Sequence, residues 1–95
     1  MKLGKVIGNV VATRKDPSLD NSKLLVVESL DEAAQQDGGY VIAVDSVGAG
    51  AGEIVLYASG SSARQTEITR DRPVDAVIMA IVDSFEVNGQ THRFA

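Results

Sequence analysis

The stretch of this chain best suited to chemistry is Asp45-Ser46-Val47-Gly48-Ala49-Gly50-Ala51-Gly52-Glu53. Between Val47 and Glu53 every side chain is a hydrogen or a methyl group. Backbone N–H groups in so bare a segment can cradle an anion, because nothing shields them. A phosphate-binding P-loop, however, needs Lys-Ser or Lys-Thr after its glycines and a helix to follow. Here Glu53 follows, and then the strand-like Ile54-Val55-Leu56-Tyr57. A dinucleotide fingerprint fails for the same reason. What remains is a tight turn, or a loop packed closely against something else.

The other reactive groups are sparse. His92 is the one histidine and there is no Cys, so a His/Cys metal site has no ligand set. Asp45, Asp75 and Asp83 could offer oxygens to a hard cation, but they are scattered along the chain and read better as strand-end hydrogen-bonding groups. Arg64 sits among small residues and reads either as a solvated side chain or as an arginine crossing a subunit boundary to pair with Asp45 or Glu53. No catalytic, cofactor-binding or metal-binding residue is assigned, and the chain is read as a non-enzyme.

Strands have to position these groups. Leu3 to Arg14 is rich in Val, Ile and Thr; Val6, Gly8, Val10 and Ala12 share one face, and Lys5, Ile7, Asn9, Val11 and Thr13 the other. Gly4 and Gly8 mark a bend or bulge. Lys15 to Ser18 is a turn, and a polar loop continues to Ser22. The second strand is Lys23 to Leu30. Asp31 to Gly39 is a loop, with one helical turn capped by Asp31 and ended by Gly38-Gly39. The third strand is Tyr40 to Val47, and the fourth, after the bare loop, is Glu53 to Ser59. A short helix is expected over 61–65, then a surface loop to Pro73. The fifth strand is Val74 to Phe85, and Asn88-Gly89 is the clearest hairpin signal in the chain. The expected fold is all-β: a small five-stranded, OB-like barrel with a short helix and a C-terminal hairpin, one domain over 1–95.

Composition narrows the partners. The formal charge is −4, from 9 basic and 13 acidic residues, and aromatics are 4%. Nucleic acid and anionic lipid both call for a basic face, and base stacking calls for aromatics. No apolar run reaches the roughly 18–20 residues of a membrane helix, and Met1 to Val6 reads as the start of a strand rather than a signal peptide. The absence of Cys suits a reducing cytoplasm.

Half-buried strands are apolar on one face only. Leu24–Leu30, Tyr40–Val47 and Ala76–Val82 are largely apolar on both. A small barrel has one interior, so the second face calls for a partner, and the simplest is another copy.

In order, Gly4-Lys5-Val6-Ile7-Gly8, Ala12-Thr13-Arg14-Lys15-Asp16, Lys23-Leu24-Leu25, Val44-Asp45-Ser46-Val47-Gly48-Ala49-Gly50, Gly60-Ser61-Ser62-Ala63-Arg64, Pro73-Val74-Asp75 and Ile81-Val82-Asp83 resemble the pentameric vertex proteins of bacterial microcompartments, of the ethanolamine-utilisation and carboxysome type. The resemblance spans essentially the whole chain. It implies a cyclic homopentamer in the shell, in the bacterial cytoplasm, filling fivefold points among hexameric shell proteins. It also implies that Gly48, Ala49, Gly50, Ala51 and Gly52 line the central opening. Five copies of Glu53 facing one axis would repel, so Glu53 is expected to turn aside towards a neighbour's Arg64. Two alternatives are an OB-like module holding oligonucleotide or oligosaccharide, and a small-anion binder using the Gly-rich loop.

Overall fold

Residues rich in Val, Ile, Leu and Ala pair into strands with short connections. In the computed structural model, which describes residues 1–19, 22–60 and 75–95, β1 runs Lys2–Val10, β2 Leu24–Leu30, β3 Gln36–Asp45, β4 Ile54–Ser59 and β5 Ala76–Ile81. They close into a barrel in the order β1-β2-β3-β5-β4, with β4 paired back onto β1. β3 and β5 are parallel; the other barrel neighbours are antiparallel. A five-stranded closed barrel of this kind has the OB-like architecture expected.

Alternation fills the interior. Val6, Leu25, Val27, Ala43, Val55, Tyr57 and Ile78 are buried together inside the barrel. Gly4 is buried among them for a steric reason. A methyl group there would lie 2.4 Å from Val27 Cγ1, 3.0 Å from Tyr57 Cε1 and 3.1 Å from the Glu28 carbonyl. Gly4 is thus a packing glycine, and the bulge lies elsewhere on β1. Val6 pairs with Val27 and Gly8 with Val26, leaving Ile7 as the extra residue. That insertion breaks the simple alternation expected for β1 and aims Ile7 at solvent.

The outer surface is also apolar, in two regions. Val44, Ala58 and Val77 form a second buried cluster, against which Leu19, Leu24 and Met79 pack. The outer face of β1–β2–β3 is open by contrast: Ile7, Ile42 and Tyr40 are 50%, 42% and 68% exposed. The expectation of strands greasy on both faces holds for β2 and β3.

Several boundaries differ from the sequence reading. β1 ends at Val10 rather than Arg14. β3 begins at Gln36, so Gly38-Gly39 lies inside a strand. Leu30 pairs with Gln36 and Glu28 with Tyr40, so the glycines form a bulge instead of ending a loop. Asp31 does organise the preceding turn, accepting the N–H groups of Ala33 and Gln35 at 2.8 and 3.0 Å. The apolar run expected as one strand to Phe85 breaks after Ile81. A separate hairpin follows, β6 (Ser84–Val87) with β7 (Gln90–Arg93). Asn88 and Gly89 both have positive φ, 52° and 77°, as a type I′ turn requires. In the 3-10 turn Pro17–Leu19, the Ser18 hydroxyl and N–H donate to Asp16 Oδ1 and hold that carboxyl below the ordinary range. The helix expected over 61–65, with Arg64 on it, lies outside the described residues.

Candidate functional site: the carboxylate-tied loop

β3 delivers Asp45 to the end of the barrel in an inward-facing position. Its side chain is only 3% exposed. Three consecutive N–H groups turn over it: Val47, Gly48 and Ala49 donate to Asp45 Oδ1 at 3.0, 3.1 and 3.2 Å. An Asp that captures the backbone two to four residues ahead is a turn former, and an ionised acceptor makes such bonds strong. The other oxygen, Oδ2, lies 3.7 Å from Lys23 Nζ, which also donates to the Ala49 carbonyl at 3.3 Å. Lys23 therefore clamps both ends of the turn that Asp45 builds.

Glu53 ties the far side. Its Oε1 accepts the Gly50 N–H at 2.6 Å. The Glu53 N–H returns to the Gly50 carbonyl at 3.2 Å, and Gly52 N and Val6 N exchange bonds with Val6 O and Glu53 O at 2.8 and 3.0 Å. Ser46 Oγ donates to the Ile78 carbonyl. The loop is a knotted turn anchored on β1, β2 and β5. Gly48 and Gly52 are required by backbone conformation, at φ 78° and 87°. Gly50 is not: a methyl there would sit 3.4 Å from Glu53 Oε1, an ordinary contact.

These bonds decide what the loop can do. The N–H groups of Val47, Gly48, Ala49, Gly50, Gly52 and Glu53 already donate to Asp45, Glu53 and the backbone. The two nearest carboxylates make the surroundings negative. Anion capture by this loop is disfavoured on both counts. Ala49, expected at the opening, is fully buried within its own core, so its side chain anchors the loop instead of facing outward. Gly48, Ala51 and Gly52 are the exposed members, and Gly50 is half-buried. Asp45 and Glu53, expected at a subunit boundary, each take loop N–H groups of this chain through one carboxylate oxygen. The clamp role of Lys23 escaped the sequence reading. An Asp immediately before a Gly-rich turn was the signal available for Asp45.

Among the described residues no group of three or more His, Cys, Asp or Glu is gathered to hold a metal ion. His92 lies on the hairpin, its ring stacked on Phe85 with centroids 4.8 Å apart. Asp75 and Asp83 are exposed near the two ends of β5.

The family whose description reads ethanolamine utilisation protein EutN/carboxysome matches residues 1–83. Carboxysome shell vertex protein CcmL of Synechococcus elongatus is 47% identical over 91 residues, which is 96% of this chain and 92% of that protein. The solved structure of CcmL from Gloeobacter violaceus superposes with a TM-score of 0.90 at 43% identity, covering 96% of this chain and 94% of that one. That of GrpN, a pentameric microcompartment shell protein from Rhodospirillum rubrum, gives 0.82 at 50% identity, covering 92% and 100%. A barrel of the same form, a match over most of the chain and identities near one half lead to one conclusion: the chain belongs to the EutN/CcmL family of ethanolamine-utilisation and carboxysome proteins.

Proposed function

We propose that this protein is a structural shell subunit, five copies of which form a ring that caps the vertices of a polyhedral bacterial microcompartment. The observation that carries it is the loop between β3 and β4. It is tied by hydrogen bonds to its own flanking residues and has no side chain larger than a methyl group between Val47 and Glu53, which suits close approach of several copies and suits ligand binding poorly. Gly48, Gly50, Ala51 and Gly52 then line the opening at the fivefold axis. Asp45, Glu53 and Arg64 are the candidates for polar contacts with the neighbouring copy. The ring sits among hexameric shell proteins in the cytoplasm and catalyses nothing.

The open outer face of β1–β2–β3 supports association, since an apolar patch of that kind is unusual on a free monomer. The charge of −4 and the exposure of only one aromatic residue on that face, Tyr40, tell against an oligonucleotide or oligosaccharide site there.

Native mass measurement at micromolar concentration tests the ring: a five-copy species is expected, and a monomer overturns the reading. Electron microscopy of shells formed with hexameric shell proteins, with and without this chain, tests the vertex role. Closed polyhedra are expected with it, and open or elongated assemblies without it.

A further inference from the structure

A closed ring of identical subunits joins one face of each copy to a different face of the next. Two apolar features are left over once this chain has folded, and they differ in shape. One is a groove of about 420 Å³ on the outside of β1–β2–β3, with Ile7, Val26 and Tyr40 along it and Glu28 in its wall. The other is the β6–β7 hairpin. Phe85 pairs with His92 and Val87 with Gln90, and the ladder continues through Phe94 N to Asp83 O at 2.8 Å. Phe85, His92 and Phe94 therefore share one face, with the Phe85 and Phe94 rings 5.7 Å apart. None of these residues belongs to either buried cluster of the barrel. Glu86, Thr91 and Arg93 occupy the opposite, polar face.

A two-stranded hairpin by itself is marginal in water and needs something to pack against. We infer that the aromatic face of the hairpin seats in the β1–β2–β3 groove of the adjacent copy around the ring. This rests on the ring reading above and names the surfaces that make the ring. Topology fixes where the hairpin leaves the barrel. Val82 N donates to Ile54 O, and Ile54 pairs with Lys5, so the hairpin leaves the barrel at the end where the Gly-rich loop is tied to Val6. Ile7 follows Val6 at that end. The hairpin leaves beside the loop assigned to the axis, and the groove starts at Ile7 and runs from there towards Glu28 and Tyr40, away from the loop, so a hairpin reaching across to the next copy would lie along it. The chemistry is complementary as well: the groove is apolar with the acceptor Glu28, and the hairpin face is aromatic with the ring N–H donor His92.

The absence of native cysteine makes the test direct. Pairs combining Val26→Cys or Tyr40→Cys with Phe85→Cys or Phe94→Cys are oxidised in the full chain. At least one pair is expected to give a disulfide ladder extending to five chains. Each single variant is expected to stay uncross-linked, and two complementary single variants mixed are expected to give two-chain species. Separately, Phe85→Ser/Phe94→Ser is expected to raise the midpoint concentration of ring assembly about tenfold or more while the barrel still melts cooperatively. A five-copy wild type in which no pair cross-links between chains, in which the disulfide closes within one chain, or in which the serine variant assembles unchanged overturns the hairpin contact and leaves the ring standing. A monomeric wild type, read before any variant is made, overturns the ring itself.

Discussion

Asp45 and Lys23 hold the Gly-rich loop from opposite sides: the carboxylate takes three loop N–H groups, and the ammonium lies 3.7 Å from that carboxylate and 3.3 Å from the Ala49 carbonyl. The two are unequal. The Asp45 side chain is buried, whereas that of Lys23 is 59% exposed, so solvent screens the cation. Asp45→Asn keeps an acceptor but removes its charge, and is expected to cost about 1–3 kcal/mol. Lys23→Met is expected to cost under about 1 kcal/mol. Urea melts of the two variants check the ranking, and equal losses would refute it.

Glycines in the loop separate folding from assembly. Gly48→Ala and Gly52→Ala each force a methyl-bearing residue to positive φ, and each is expected to destabilise the subunit by about 1 kcal/mol. Gly50→Ala meets only Glu53 Oε1 within its own chain, so the melt should barely move. If the loop lies at the axis, Gly50→Ala still weakens the ring or narrows its opening. Native mass together with a crystal structure of the variant reads both, and an unchanged ring with an unchanged opening removes the loop from the axis.

Inside the barrel, Gly4→Ala sets a methyl group against Val27, Tyr57 and the Glu28 carbonyl. Backbone cannot yield as a side chain does, so about 2–3 kcal/mol of stability should be lost. Thermal denaturation checks this, and a neutral result would mean that β1 can shift outward.

A substitution in the opposite sense is available at Ala34, which sits at φ 61° in the turn tied by Asp31. Glycine relieves that strain at some entropic cost in the unfolded chain. Ala34→Gly is expected to stabilise by about 0.5 kcal/mol and to raise the melting temperature by a few degrees.

The strand sequence was legible because inward residues such as Leu25 and Val27, or Val55 and Tyr57, recur with period two. The hairpin was legible because Asn88-Gly89 suits one turn type. Bulges were not, since an inserted residue such as Ile7 looks like any other member of an alternating run until its partner strand is known. The Gly38-Gly39 pair misled for the same reason: glycines end loops and also relax bulges, and only the Leu30–Gln36 pairing distinguishes the two. At the loop, composition announced a crowded site but not its internal hydrogen bonds. Asp45 was legible as a strand-end hydrogen-bonding group, but not that it and Glu53 would take their donors from loop backbone only a few residues away.

The return of β4 to β1 closes the barrel, so none of its five strands is free along its whole length. A closed barrel offers little continuous ladder for copies to zip onto main chain to main chain, the route by which exposed ladders grow into fibres of unlimited length. Contacts between closed barrels run mainly through side chains, whose shapes fix an angle. A fixed angle can bring the last copy back to the first, so the growth of the assembly stops at a definite number.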